Sequence, residues 1–395
     1  MSADPAHLPD RDCAAAPAAG HAAAVRQNGL DWLRVAATLG VLVLHAGIAY
    51  MPHPLPGLRW STQDTPTPAA DVICWTLDAW VMPVFFLLGG MAAASLLERM
   101  SPGEVARHRL RRLGGPLLLG CMLVLPCDLY VWLLGSVVDG ELPLRKLQSM
   151  KLRGYDTGLW GPSHLWFLQY LLGYCLLAAT WRHRRGVPLA IRPRRDRVRL
   201  AACVAASVAA LAWKPSVLIG FDHQPLPQLA NAVFFGAFFV VGLTRPRSPW
   251  SRRRSAIVLG FGCAVLAVAA PGLVQYCDGG PAGMLPPLFA IACWGLGLGA
   301  VEWARTVHQP LPRSVKTVAA ASFWIYLAHH PVVGLAQISL KAADIGPNAK
   351  FALTAAVGLT LPLLTYVAVV RGRWIGRVLG ERTKPASPTP RRKAA

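Results

Sequence analysis

Arg34 and His45 lie in GLDWLRVAATLGVLVLHAGIAY, residues 29–50, a stretch that is otherwise almost wholly apolar. A guanidinium and an imidazole at membrane depth are costly, and such groups usually mark a pathway or a reacting site. Their separation of eleven residues is three helical turns plus about 20°. Both side chains therefore leave one face of a helix, about 16 Å apart along its axis. Taken singly, the arginine reads as a snorkelling anchor and the histidine as a helix–helix hydrogen bond. Taken together they read as two stations of a polar path. One is a cation that can hold phosphate; the other is an imidazole that can take a proton or an acyl group.

Three more constellations carry chemistry. EVARHRLRRLGGP, 104–116, sets Arg109 and Arg112 one helical turn apart, a spacing that can grip phosphates or, more ordinarily, anionic lipid head groups. GPSHLWFLQYLLGY, 161–174, places His164 at the head of an apolar run beside Trp160 and Trp166; tryptophan there is ordinary interfacial chemistry, histidine less so. SFWIYLAHHPVV, 322–333, holds His329 and His330 ahead of Pro331. A proline within a helix frees a backbone carbonyl and bends the axis, often where a cavity is lined. Asp78 and Asp128 also fall in apolar runs, and either could orient a histidine by accepting its N–H.

The elements that must position these residues follow from composition. Hydrophobic residues make up 54% of the chain and charged residues 15%, whereas a soluble domain is usually about a quarter charged. Apolar runs long enough to cross a bilayer recur throughout. The expected fold is all-α and polytopic, with about ten transmembrane helices near 30–50, 72–97, 113–137, 164–181, 198–218, 228–243, 255–276, 283–303, 315–340 and 350–371. The net charge of +21 comes from clusters in alternate connections, around residues 99–112, 182–197, 245–254, 305–316 and 371–393. That alternation is the positive-inside pattern, not a nucleic-acid-binding face, and it places both termini in the cytoplasm. The connection 138–163 strains the pattern with Arg145, Lys146, Lys151 and Arg153.

Residues 1–28 read as an irregular cytoplasmic tail without a signal-peptide core, 29–372 as the membrane domain, and 373–395 as a basic irregular tail. The Pro- and Arg-rich connection 185–197 reads as irregular too. Nine cysteines occur without a metal-type pair spacing, so they read as small buried hydrophobes, and no metal is expected. Without a phosphate-cradling glycine loop or an internal repeat, ATP-driven transport is not supported.

The motifs LDWLRVAATLGVLVLHAG, MPVFFLLGGMAAASLLER, RHRLRRLGGPLLLG, SHLWFLQYLL and SFWIYLAHHPVV resemble, in order, those of the membrane-bound acyltransferase-3 family. The look is closest to its glucan-modifying succinyltransferase branch. The resemblance implies an O-acyltransferase of a bacterial inner membrane that moves an acyl group, acetyl or succinyl, from cytoplasmic acyl-CoA. The acceptor would be a hydroxyl of a sugar, glucan or lipid-linked molecule at the outer face. Acyl-CoA is then a substrate, and no tightly bound cofactor is implied. Carried over by motif, His45 and Arg34 take the catalytic roles, with His164 and His329; Arg109, Arg112 and Arg34 hold the donor. Gly89 stands where many members carry serine, which leaves the role of that hydroxyl open here. The alternative class is a proton-coupled exporter, which intramembrane His, Asp and Arg would also suit.

Overall fold

The computed structural model describes residues 16–54, 56–149, 161–185, 193–219, 225–245 and 249–379; for 16–27, 193–195 and 219 only the backbone is described. The Lys151–Arg153 charges, Trp160, most of the 185–197 connection and the last of the basic tail lie outside these residues. Among the described residues there is no strand, and ten long helices occur where the apolar runs place them. They are α1 (Ala16–Gly47, extended by a 3₁₀ turn to Tyr50), α2 (Pro68–Arg99), α3 (Pro102–Val138), α4 (Trp166–Arg185) and α5 (Pro193–Trp213). The second half holds α6 (Leu229–Leu243), α7 (Arg252–Cys277), α8 (Leu285–Ala304), α9 (Arg313–Leu340) and α10 (Pro347–Val370). Seven of these, all but α4, α5 and α6, are long and apolar enough by themselves to cross a membrane. The chain is an all-α polytopic membrane protein. Helix α1 starts at Ala16, inside the segment expected as an irregular tail, and a short helix at Trp374–Val378 follows α10.

The connections sort to two ends. At one end the loop 51–67 meets α3, α9, α10 and the α7–α8 turn: Thr62 and Lys341 bind Asp139, Lys350 binds Asp64 at 3.0 Å, Thr67 binds Asn348, and His53 binds Asp71 near Asp278. At the other end Glu302, wholly buried, accepts from Arg245 Nε and Arg305 Nη1, each at 2.8 Å, and from the Trp250 backbone N–H. This second end also carries Arg99, Arg107, Arg109, Arg111, Arg112 and the α4 arginines, so the basic clusters expected on one side do gather there.

Helix α1 packs on α2, α8, α9 and α10, which makes it the axis of the bundle. Helix α7 instead turns Ile257, Phe261 and Val268 outward, as a lipid-facing helix does when its backbone is satisfied internally. Where α2 crosses α6, the backbones touch through Gly90 and Gly242: a Cβ on either would sit 2.2 or 2.1 Å from a carbonyl oxygen of the other helix. Small residues permit that approach where dispersion, not water expulsion, holds helices together. Helix α3 contains two wide π turns, Leu110–Gly114 and Gly120–Val124. Such turns shift the face a helix presents and recur beside functional sites; the first holds Arg112.

Candidate active site

A cavity of about 670 Å³ opens at the basic end between α1, α2, α3, α4 and α9. Arg34, Arg99, His108, Arg109 and Arg112 line its polar part, with Asp31 paired to Arg34 at 3.3 Å. Its inner part is apolar, lined by Met82, Phe85, Phe167 and Phe323 among others. Arg109 Nε and His108 Nδ1 are enclosed in protein without a hydrogen-bond partner. Buried polar groups are normally satisfied, and these two atoms at the cavity wall are exceptions. His108 was not separated from its neighbours by sequence; only its position beside Arg109 and Arg112 marks it.

The wall contributed by α1 runs from Leu30 and Asp31 through Arg34 and Thr38 to Val41. The spacing of four and three residues from Arg34 to Thr38 to Val41 follows one helix face, and His45 is the next residue on it. The cavity's inner end reaches Tyr326, whose ring lies against His164 and His329. The α1 face that runs from Arg34 towards His45 therefore lines the cavity as far as Val41, one turn short of His45, which is not in the lining. Gly89 is on that wall, and a Cβ there would come within 2.5 Å of Leu171 Cδ1. A serine would thus have to displace leucine before offering its hydroxyl.

Four histidines and one acid converge beyond the cavity: His45 (α1), Asp128 (α3), His164 (the 3₁₀ turn Ser163–Leu165 before α4), and His329 and His330 (α9). Each is buried, and Trp60 and Trp132 close the side towards the 51–67 loop. Hydrogen bonding identifies a donor nitrogen in each of the four rings. His329 Nδ1 lies 2.9 Å from the Ile325 carbonyl oxygen and 2.8 Å from that of Tyr326. Carbonyls only accept, so Nδ1 carries the proton; no carboxylate touches this ring among the described residues, so it is neutral and Nε2 is bare. His329 Nε2 is 2.8 Å from His45 Nδ1, so His45 must donate through Nδ1. The lone pair of His45 is thereby placed on Nε2, which has no protein partner among the described residues and is not among the enclosed atoms.

The second half of the cluster is organised by Pro331. A proline at 331 cannot donate to the carbonyl four residues earlier, and that carbonyl, of Leu327, accepts from His164 Nε2 at 3.1 Å. The freed carbonyl expected from sequence is real, and its occupant is a histidine 163 residues away. His330 Nδ1 donates to Asp128 Oδ1 at 3.0 Å, and Ser163 Oγ donates to Oδ2 at 3.2 Å. His164 Nδ1 is also 3.2 Å from Asp128 Oδ2, but out of line for a hydrogen bond. Asp128 thus does the orienting expected of an intramembrane acid. Asp78 does not: it sits near Cys74 and Cys293 and meets no histidine among the described residues. Trp166 is a core residue packed on Phe86 and Phe235, not an interfacial one.

Asp128, His164 and His330 have the donor types of a divalent-metal site, with donor atoms within 4.8 Å of one another. The two imidazoles, however, are stacked at 4.5 Å with 18° between their planes. Rings that close cannot be coplanar, and ring lone pairs lie in the ring plane. A metal at bonding distance, about 2.1 Å, could not lie in both ring planes at once, so the arrangement suits protons shared through a carboxylate better than an ion.

Two residues the sequence reading passed over hold the cluster closed. Gln337, fully buried, donates to the backbone carbonyls of His45 and Ala46 and accepts from Trp60 Nε1 at 2.7 Å. Its position two turns after His329 on an apolar helix was its one legible signal. Tyr326 Oη donates to the His164 carbonyl at 2.5 Å.

A family model described as an acyltransferase domain, that of the acyltransferase-3 family, matches residues 27–367. The match takes in every residue of the cavity and of the histidine cluster. No curated protein and no solved structure matches the chain.

Proposed function

The chain belongs to the acyltransferase-3 family and is a membrane O-acyltransferase, and we propose that its basic cavity takes an acyl-CoA from the cytoplasm. The acyl group then passes to a sugar hydroxyl presented from the opposite face of a bacterial inner membrane. The observation that carries this reading is the continuity of the α1 wall: Arg34, Thr38 and Val41 line the cavity, and His45 follows on the same face. Coenzyme A is a phosphate-rich anion on a long, thin arm. Arg34, Arg109, Arg112 and His108 suit its phosphates, and the apolar inner wall suits the arm and the acyl chain. With the basic end facing the cytoplasm, the thioester is drawn to the histidines while its charge stays at the mouth.

His45 Nε2 supplies the reacting lone pair. It removes the proton of the acceptor hydroxyl as that oxygen attacks the thioester carbonyl, help of the kind worth about 10²–10⁴ in rate. His329 keeps that lone pair available by accepting the His45 Nδ1–H at its own Nε2, and Gln337 and Trp60 close the site to water. A covalent acyl-imidazole would use the same lone pair, and would reveal itself as an acyl-labelled chain when the reaction is quenched without acceptor. Succinyl and acetyl are the acyl groups to test first, and glucans the first acceptors, on the motif resemblance to the glucan-modifying branch.

The test uses the purified chain in vesicles with radiolabelled acyl-CoA and glucan. Arg109→Ala with Arg112→Ala should raise KM for acyl-CoA about tenfold or more, since each charge-assisted hydrogen bond contributes about 1.5–3 kcal/mol, and should change kcat little. Unaltered acyl-CoA binding by the doubly substituted protein would refute the donor assignment.

A further inference from the structure

The histidine cluster holds two separate hydrogen-bond chains, and they differ in charge. The first runs from the Ile325 and Tyr326 carbonyls through His329 to His45; no carboxylate touches either ring among the described residues, so it is neutral and ends in a lone pair. The second contains Asp128, 5% exposed, between His330 and His164. A carboxylate buried at that depth needs a compensating positive charge. Two rings could hold it. His164 Nδ1 is out of line with Asp128 Oδ2, whereas His330 Nδ1 is in line with Oδ1 at 3.0 Å. His330 also lies parallel on Trp132, at 4.7 Å and 6°, the arrangement in which an indole face stabilises a cation. The groups facing His330 are then Asp128 from α3, His164 from the turn before α4, His45 from α1, its neighbour His329 edge-on at 6.1 Å, and the Trp60 and Trp132 rings.

We propose that His330 is an imidazolium held by Asp128 and serves as the catalytic acid of the transfer, opposite the base His45. Its Nε2–H has no protein partner among the described residues and is not enclosed, and its ring meets His45 edge-on at 5.0 Å. The inference rests on the acyl-transfer reading above and adds the fate of the second proton. In the step, the hydroxyl oxygen bonds to the thioester carbon while its proton goes to His45 Nε2. The carbon–sulfur bond then breaks, and sulfur leaves with the bonding pair. A thiolate of this kind holds a proton up to about pH 8.5, so it takes the one on His330 Nε2 and departs as a thiol. The site is left with His45 protonated and His330 neutral, and one proton passed between the two rings restores it. Asp128 is a positioning residue: it never meets the substrate, and it keeps the His330 proton in place.

The test is nitrogen-15 NMR of the full chain labelled in histidine, at pH 7, read beside turnover. Subtracting His330→Gln from the wild type should reveal a ring with both nitrogens protonated. Asp128→Asn should convert that ring to a neutral one with one bare nitrogen, and its spectrum identifies the same signals if His330→Gln does not fold. Turnover should fall about 10²–10⁴-fold in His330→Gln, with KM for the donor little changed. A neutral His330 ring in the wild type would overturn the proposal, as would turnover in His330→Gln within about threefold of wild type. His45→Gln separates the two readings: if it keeps full turnover the base assignment fails, while the charge on His330 is still read from the spectrum.

Discussion

Replacing His329 by leucine tests the hydrogen-bond chain that sets the state of His45. In the native protein the His45 Nδ1–H is satisfied by His329 Nε2 at 2.8 Å, and the two residues are 7% and 1% exposed. Leucine fills most of the ring's volume but accepts nothing. The Nδ1–H is left enclosed and unpaired, which costs about 1–3 kcal/mol. Moving the proton to Nε2 relieves that penalty but removes the reacting lone pair. Either way the active tautomer loses about 1–3 kcal/mol relative to its rival, and at 1.36 kcal/mol per factor of ten kcat should fall about 5- to 150-fold. KM for the acyl donor, which the proposed function assigns to the arginines, should not move. The assay is steady-state transfer of labelled acyl groups by His329→Leu, His45→Gln and the double variant. Because His329 acts only through His45, the double variant should be no slower than His45→Gln. A loss below twofold in His329→Leu, or losses that multiply in the double variant, would refute the chain of influence.

Three further outcomes follow from the loops at the opposite end. Lys350→Met should destabilise the protein by about 3–5 kcal/mol, since it strands the buried Asp64 carboxylate without its ammonium; thermal unfolding should show most of the loss recovered when Asp64→Leu is added. The hydrogen bond that His53 donates to Asp71, followed by the carboxylate's charge, raises His53 above the ordinary 6.5. A raised value means this contact stabilises fully below pH 6.5 and fades as pH climbs through the folded value. Unfolding temperature should therefore decline from pH 6.5 upward more steeply in the wild type than in His53→Gln. Gly135→Ala would place a Cβ 1.6 Å from the Ser61 carbonyl oxygen; overpacking of this kind typically costs about 1–3 kcal/mol. It should also lower kcat by displacing Trp60 from His45, an effect that enlarging Gly103, which has open space around it, should not produce.

The amino-acid sequence by itself determined the all-α membrane class, the places of the long apolar helices, the gathering of basic clusters at one end and the Arg34–His45 spacing. These are periodic or compositional properties, written within a few turns of the chain and imposed by a solvent that tolerates no unpaired backbone. It also determined that Pro331 frees the Leu327 carbonyl, because a missing N–H acts four residues away whatever surrounds it. Only the tertiary structure decided what fills that carbonyl, which acid among Asp78 and Asp128 meets histidine, and that Gln337 and Trp60 close the site. Ser163 and His330 are joined to Asp128 across gaps of 35 and 202 residues, and no local pattern encodes such contacts. The same physics separates His329 from His330: adjacent in sequence, they point about 100° apart on one helix, so one completes a neutral chain and the other meets a carboxylate.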